Sequence, residues 1–429
     1  MSKFQLVLTG IFGILILIGV FVFAFARPNS TPQVPVLVWG SLSESEFASV
    51  LSNLPLAKDR TVSVQYVQKR DSEFDRDFVE ALAAGVGPDV VMLPQDSIVT
   101  HEKKLFVVPY DSYSERLFKD VYIEEGELLL TRTGILGFPF LIDPLVMYYN
   151  RDVLTANAIA KPPLFWDQFF ELSKQLTQKD GALNVSRATV SLGEFQNVTN
   201  SKEIIATLMM QAGNTLFVRN NDGTYSSTIA GGFGQPVPPA ISAINFYTEF
   251  SNPLKTSYSW NRSLPDSQLM FTSGDLVFYF GFASELQTLK QKNPNLNFDV
   301  TTLPQVRSTD NRATFGRMKA LAITKNSKNP NAAFTVIAGL SSVEGIKRFA
   351  EISGLPPVRR DLLSQNPNDP NMAVFYRSAL WTKAWLDPNR VASANIFRTM
   401  IESVTGGRAR PTEAVDTADQ SLGSLIRNY

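Results

Sequence analysis

The sequence predicts an α/β protein with two lobes, preceded by a segment that enters a membrane. Strand patterns alternate with helix patterns along the chain, which is typical of parallel strands joined by helical crossovers. The length of 429 residues exceeds a typical single domain of about 100 to 200 residues, so two separate cores are expected. Residues 4–26 contain no charged side chain and are mostly apolar.

The apolar segment matches the roughly 20 residues needed to span a bilayer, so residues 1–27 predict an N-terminal membrane anchor with a single transmembrane helix. Lys3 precedes the segment and Arg27 follows it, which favours a cytoplasmic N-terminus and an extracytoplasmic body. The alternative is a signal peptide cleaved after Ala26, because Ala24-Phe25-Ala26 has the small-x-small pattern of a cleavage site. Both interpretations export the body, to the periplasm or the cell surface, after a linker of residues 28–33.

The first part of the body predicts strands at residues 34–39, 61–67 and 89–93. Between them, residues 43–51 predict a helix with acidic residues in its first turn, and a second helix is expected from Ser72 as N-cap to Gly85 as stop. This alternation places the first lobe in the α/β class.

The second part starts with apolar runs at 135–140 and 145–149, separated by Asp143-Pro144, and a helix expected from Trp166. Residues 220–239 predict a long surface loop, and residues 276–280, 298–302 and 321–324 predict strands. A helix is expected to begin at Pro330, and Ser341 with Glu344 matches a capping box for the next. Helical patterns at 396–404 and 412–425 predict an all-α end of the chain.

Composition excludes several classes of function. Forty basic residues balance forty acidic ones, which leaves no net field to attract nucleic acid. The absence of cysteine excludes disulfides, thiolate nucleophiles and a lipid-bearing cysteine, and the lone His101 excludes a multi-histidine metal site. Most catalytic templates therefore lack the residues they need, and no metal or cofactor is expected.

Three groups of motifs follow one another along the body. The first is Ala81-x-x-Ala84-Gly85-x-Gly87-Pro88-Asp89-Val90-Val91. The second combines Gly137-Phe138-Pro139-Phe140, Asp143, Tyr148-Tyr149-Asn150, Pro162-Pro163 and Trp166-Asp167. The third combines Phe271-x-x-Gly274-Asp275, Phe280-Gly281, Leu303-Pro304, Leu321-Ala322-Ile323, Ser327-x-x-Pro330 and Gly354-Leu355-Pro356. Together they resemble the extracellular solute-binding proteins of ABC importers, in the carbohydrate-binding group that includes maltose-binding protein.

The resemblance implies a periplasmic-binding-protein-like fold of type II, with interleaved lobes joined by a hinge. It implies residues 34–142 with 314–356 in one lobe, and residues 143–313 with 357–429 in the other. It also implies a monomer that captures a carbohydrate, closes around it, and delivers it to the transmembrane subunits of an ABC permease. Two departures stand out, since Phe165 replaces the usual threonine before Trp166 and the lipoprotein cysteine of relatives is absent.

A carbohydrate site needs carboxylate or amide acceptors beside exposed aromatic rings. Asp96 follows a predicted strand and Asp143 lies in the crossover, and both match acidic ligand-contacting residues of the family. Asp96 could instead serve as an N-cap.

The candidate aromatic and amide residues share a place at a strand end, in a loop or on a late helix: Trp39, Trp260, Asn261, Tyr279, Phe282, Trp381 and Trp385. Each has an alternative role in the core, since aromatics at strand ends are often buried, one of Tyr279 and Phe282 must face inward, and a tryptophan pair four residues apart shares one helical face.

Two other functions fit the same fold. A carbohydrate-active enzyme would need two carboxylates about 5 to 9.5 Å apart across one cleft. A surface adhesin would bind large polymers without lobe closure. The sequence favours a non-catalytic receptor.

Overall fold

The computed structural model describes Ile16, residues 33–307 and residues 311–426. The predicted anchor and linker therefore lie outside the described residues, except for Ile16 and Gln33. Across the described ranges, no helix is both long enough and apolar enough to cross a bilayer.

The strands are short except for two that occupy the middle of the main sheet. In chain order they are β1 (Val34–Gly40), β2 (Val62–Gln68), β3 (Val90–Pro94), β4 (Val108–Pro109), β5 (Gly134–Ile135), β6 (Phe138–Asn150), β7 (Gln178–Lys179), β8 (Val185–Val190), β9 (Phe217–Arg219), β10 (Tyr225–Ser227), β11 (Leu276–Phe282), β12 (Phe298–Thr301), β13 (Thr314–Ile323) and β14 (Thr382–Lys383).

The α-helices follow the strands through most of the chain and form its last part alone. In chain order they are α1 (Glu44–Ser52), α2 (Phe74–Ala83), α3 (Ile98–His101), α4 (Glu115–Val121), α5 (Arg151–Ala156), α6 (Gln168–Leu176), α7 (Ser201–Gln211), α8 (Pro239–Glu249), α9 (Ser267–Ser273), α10 (Glu285–Lys292), α11 (Pro330–Leu340), α12 (Val343–Ser353), α13 (Arg360–Leu363), α14 (Pro370–Ala379), α15 (Arg390–Thr405) and α16 (Pro411–Ile426).

One sheet runs through both lobes in the order β2-β1-β3-β13-β6-β11-β8-β7. At one end, β1 pairs in parallel with both β2 and β3, which confirms the predicted α/β character of the first lobe. At the other end, β11 pairs in parallel with β8, and β8 pairs with the short edge strand β7. The central strands β13 and β6 are antiparallel and belong to both halves of the sheet.

The strand β6 changes partner in its middle. Its first half pairs with β13 up to the pair Gly316 and Pro144, and its second half pairs with β11 from the pair Phe282 and Leu145. The sequence predicted two runs broken at Pro144, but the structure forms one strand of 13 residues. Proline lacks an N–H donor, so it is tolerated where one ladder of hydrogen bonds ends and the next begins. The strand therefore passes from one lobe to the other.

The strand β13 is longer than predicted for a similar reason. Only residues 321–324 have a continuous apolar pattern, whereas the strand begins at Thr314 and includes Arg317 and Lys319. These polar side chains emerge at the junction of the lobes, where a strand is not covered by apolar neighbours on both faces.

Two helix starts differ from the prediction by one residue. Ser72 was expected to cap α2, but Glu73 occupies the N-cap position without a side-chain hydrogen bond. Ser342, not Ser341, caps α12 by accepting from the Gly345 N–H at 3.1 Å. Adjacent serines offer the same hydroxyl, so composition alone does not distinguish them.

The helix expected from Trp166 begins at Gln168. The Oε1 of Gln168 accepts from the backbone N–H groups of Leu164 and Phe165, at 2.9 and 3.0 Å. This side chain ties the segment before the helix to its first turn, whose own N–H groups have no side-chain cap.

The predicted surface loop at 220–239 contains a short hairpin, because β10 pairs antiparallel with β9. Further along, Ile123 N–H donates to the Val358 carbonyl at 3.1 Å, and Arg360 Nε donates to the Tyr122 carbonyl at 2.6 Å. Residues 358–363 therefore pack on the first lobe, whereas α14 packs beside β12. These contacts lie just beyond residue 356, where the lobe boundary was predicted, and that boundary stays a prediction.

Candidate functional site

A cleft of about 590 Å³ lies between the lobes, at the ends of β1 and β3 and along the central strands. In sheets with parallel strands, the carboxyl ends of the strands are the usual place for ligands. The first lobe contributes Ser41 after β1 and Asp96 after β3, β6 contributes Asp143, and the second lobe contributes Ser284 and Arg390. The cleft therefore joins side chains from both lobes and from the hinge.

Asp143 lies on β6 next to the change of partner strand. Its carboxylate accepts from the Ser284 backbone N–H at 3.0 Å and from the Ser284 hydroxyl at 2.6 Å. Burial raises the pKa of this carboxyl to about 6, while the two bonds from Ser284 act to lower it. Asp143 is thus a fixed acceptor that approaches neutrality near pH 6.

Asp96 lies in the 3₁₀ turn Gln95–Ser97 that follows β3. Arg390 Nε, at the start of α15 in the second lobe, is 3.7 Å from Asp96 Oδ2. Burial raises the pKa of Asp96, and the Arg390 charge acts to lower it. A second link between the lobes lies nearby, since the Thr100 hydroxyl donates to the Pro388 carbonyl at 3.3 Å.

Arg317 is a cleft residue that the sequence interpretation missed. It lies opposite Asp143 in the register of β13 and β6. Its Nη2 donates to Asn200 Oδ1 at 3.2 Å and to Glu203 Oε1 at 3.0 Å. Its guanidinium carbon is 3.7 Å from the centre of the Phe282 ring, a cation–π contact. The side chain is therefore held on three sides.

Lys319 follows two residues later and lines the same cleft, because alternate residues of a strand face one side. Its Nζ donates to the Ser41 hydroxyl at 2.5 Å and lies 3.1 Å from Asp71 Oδ2. Two cations at alternate positions before an apolar strand were the signal in the sequence that could have indicated this face of β13.

Buried charges support the floor of the cleft. Lys202 Nζ and Asp387 Oδ2 are 2.8 Å apart with side chains only 9% and 3% exposed, and the Ser393 hydroxyl donates to the same oxygen at 2.7 Å. Burial acts to raise the pKa of Glu203, but Arg317 and Lys202 outweigh it, so this pKa lies below its usual value. Glu203 therefore stays ionised and keeps Arg317 in place.

This arrangement of two lobes, a shared pair of strands and a polar cleft agrees with a sequence comparison. The family described as bacterial extracellular solute-binding protein matches residues 55–388, which is most of the chain. The chain belongs to this family.

Individual relatives of this solute-binding protein are distant but match over nearly their full length. The galactooligosaccharide-binding protein of Bacillus subtilis is 21% identical over 399 residues, which cover 86% of this chain and 84% of the relative. A cyclo/maltodextrin-binding protein solved with maltotetraose superposes with a TM-score of 0.74 at 17% identity, over 93% of this chain and 99% of the other. A cyclic alpha-maltosyl-1,6-maltose binding protein from Arthrobacter globiformis gives 0.75 at 13% identity, over 92% and 100%. These likenesses confirm the two-lobed α/β fold.

Of the candidate residues in this solute-binding protein, Asp96 and Asp143 line the cleft. Trp260 does not, because its ring is fully buried and its Nε1 donates to Asn197 Oδ1 at 3.1 Å. Asn261 beside it donates to the Tyr258 hydroxyl at 2.7 Å. This corrects the expectation that an aromatic in an irregular segment is exposed, since the segment itself is buried from Tyr258 to Trp260.

None of the remaining aromatic candidates lines the cleft, although Phe282 packs against Arg317, which does. Trp39 is 7% exposed, with Lys69 Nζ 4.2 Å from its ring centre. Tyr279 and Phe282 are buried on opposite faces of β11, because this strand is covered on both sides. The two tryptophans near the C-terminal helices differ: Trp385 is buried, whereas Trp381 is half-buried beside Arg312.

One buried carboxyl lies against the hinge, in the groove near β14. Glu125 is 2% exposed, and neither of its oxygens has a hydrogen-bond partner. Its Oε2 occupies the space that a Cβ at Gly316 would need, so any other residue at 316 would collide with it. Burial raises the pKa of Glu125 to about 8. The carboxyl is therefore mostly protonated at neutral pH.

Proposed function

We propose that the protein is the extracytoplasmic binding component of an ABC importer, and that it captures a carbohydrate in the cleft between its lobes. The observation that supports this most is the cleft itself, in which Asp96, Asp143 and Arg317 come from one lobe and from both hinge strands. The matching relatives are named for galactooligosaccharide, maltodextrin and cyclic maltosyl-maltose binding.

The chemistry of the cleft suits hydroxyl-rich ligands. A hydroxyl group is both a donor and an acceptor, so it can donate to a carboxylate such as Asp143 and accept from a guanidinium such as Arg317. Hydrogen bonds to charged groups are about twice as strong as those between neutral groups. The cleft therefore offers both kinds of partner within one small space.

The lobes would move about β6 and β13, the two long strands that both halves of the sheet share. Ligand contacts made from both lobes favour the closed arrangement, because a ligand shifts a conformational equilibrium by its differential affinity for the two states. The closed, loaded form would then be recognised by the permease, and the ligand would leave chemically unchanged.

We further propose that residues 4–26 anchor the monomeric protein in the membrane, with the body outside the cytoplasm. The support is the uncharged sequence of this segment and its length. Membrane fractionation with N-terminal sequencing tests it: full-length protein in the membrane fraction is expected, whereas a mature N-terminus at Arg27 would show that the segment is a cleaved signal.

A thermal-shift screen tests the function itself. A ligand that binds only the folded protein stabilises it by mass action and so raises the melting temperature. The stabilisation is about 2.7 kcal/mol at a ligand concentration 100 times the Kd. The panel should contain monosaccharides, oligosaccharides, polyols and peptides. We expect that a carbohydrate stabilises the protein and that this carbohydrate is recovered with unchanged mass after long incubation. A cleaved sugar would indicate an enzyme, and stabilisation by peptides alone would contradict the proposal.

A further inference from the structure

The cleft mixes acidic and basic side chains in nearly equal number. The carboxylates that line it are Asp71, Asp75, Asp96 and Asp143, and the cations are Arg317, Lys319 and Arg390. Each cation faces a carboxylate within the protein: Lys319 faces Asp71, Arg390 faces Asp96, and Arg317 faces Glu203. Such a lining creates little net field for a charged ligand, because either sign of charge would meet a like charge close by.

The same lining offers no aromatic surface. Among the described residues that line the cleft, the one aromatic is Phe74, and its side chain is only 5% exposed. Stacking on an exposed ring is how a protein gains free energy from the apolar C–H faces of a sugar chain. Without it, an added sugar unit gains only from packing on aliphatic side chains such as Leu141 and Met318 and from exchanging hydrogen bonds to water for hydrogen bonds to protein, which gives a small net gain.

We infer that the ligand of this cleft is a small neutral carbohydrate, a monosaccharide or disaccharide, which Arg317 and Asp143 hold through its hydroxyl groups without ring stacking. This inference rests on the proposed function and adds the size and charge of the ligand to it.

Arg317 is suited to this role by its position and its fixed orientation. It lies on the hinge strand opposite Asp143, so its donors and the acceptors of Asp143 are side by side at the junction of the lobes. Its bonds to Asn200 and Glu203 both use Nη2, so neither uses Nε or Nη1. A guanidinium held before the ligand arrives loses little conformational entropy on binding.

The first experiment measures binding of a graded panel to the full-length protein by calorimetry. The panel contains neutral monosaccharides and disaccharides, maltotetraose, a uronic acid and an amino sugar. We expect the tightest ligand to be a neutral monosaccharide or disaccharide, at least about tenfold tighter than the charged analogues, since a charged group placed near a like charge loses at least that much affinity. Tightest binding of maltotetraose, of the uronic acid or of the amino sugar would overturn the inference but leave a carbohydrate receptor. Binding of no carbohydrate would overturn the proposed function as well.

The second experiment tests Arg317 against a matched arginine. Arg307 also lies over an aromatic ring, 4.1 Å from the centre of Phe165, and pairs with Asp167 at 3.0 Å, but it does not line the cleft. We expect Arg317→Met to weaken binding of the best panel ligand about 10- to 150-fold and Arg307→Met to leave it unchanged. Equal affinities for the two variants would overturn the role of Arg317.

Loss of Arg317 leaves Glu203 without its guanidinium partner, which can destabilise the fold. The double variant Arg317→Met with Glu203→Gln removes that unpaired charge. If the double variant melts as the wild type does and still binds the ligand with wild-type affinity, the inference fails. If it melts normally and has lost the affinity, the inference holds.

Discussion

Glu125→Gln should raise the stability of the protein at alkaline pH and leave it nearly unchanged at acidic pH. The glutamine keeps the shape of the side chain beside Gly316 but cannot ionise. In the wild type, the pKa of Glu125 is about 8 in the folded protein, because the carboxyl is buried, and about 4.5 when exposed. Between these values the folded protein holds a proton that the unfolded chain has released.

The sign and size follow from proton linkage. Stability falls with pH wherever the folded state binds more protons, by about 1.4 kcal/mol for each pH unit. The cost of Glu125 is therefore absent below about pH 4.5, grows through neutrality, and levels off above about pH 8. Between pH 5 and pH 8, this effect lowers the free energy of unfolding by on the order of 4 kcal/mol.

The free energies of unfolding of the wild type, Glu125→Gln and Glu127→Gln can be measured by urea unfolding at pH 5, 6.5 and 8. Glu127 lies on the same helical turn, and its side chain is 41% exposed. The difference in unfolding free energy between Glu125→Gln and the wild type should grow as pH rises, whereas Glu127→Gln, which retains Glu125, should follow the wild type. A difference for Glu125→Gln that is the same at pH 5 and pH 8 would refute the assignment of a buried, protonated carboxyl at the hinge.

Three further predictions concern the cleft and buried residues outside it. Asp143→Asn should weaken carbohydrate binding about 10- to 150-fold at pH 7.5. In calorimetric titrations, the affinity of the wild type should decrease when the pH is lowered below about 6, because Asp143 becomes protonated. The affinity of the variant should not decrease in this way. Trp260→Ala should lower the free energy of unfolding by about 3 to 5 kcal/mol because the ring is fully buried, and unchanged melting would show that the ring is exposed in solution. Lys202→Met should cost about 3 to 5 kcal/mol by leaving Asp387 buried without its cation, and adding Asp387→Leu should recover stability in denaturant titrations.

The fold could be predicted from the sequence where patterns are local. Strands β1 to β3 alternate with helices, and their apolar periodicity predicts them within one residue. The strands at the hinge could not be delimited in this way. Pro144 divides the apolar pattern of β6, and Arg317 and Lys319 interrupt that of β13, because both strands change their surroundings along their length.

The site could be predicted only in part. Asp96 and Asp143 follow from the resemblance to the family, and both line the cleft. The aromatic candidates do not line the cleft. The burial of a tryptophan in a loop, such as Trp260, cannot be predicted until the segments that cover it are known. Arg317 contacts Asn200 and Glu203, which lie more than 110 positions away, so no local pattern indicates its role.

The distance between the lobes tests most directly whether a carbohydrate binds between them. Lys58 in the first lobe and Lys174 in the second are exposed, so cysteines introduced there can carry spin labels in a chain that has no other cysteine. A saturating carbohydrate should shorten and narrow the measured distance distribution, because contacts from both lobes favour the closed arrangement. A carbohydrate that binds by calorimetry while the distribution stays unchanged would contradict capture between the lobes.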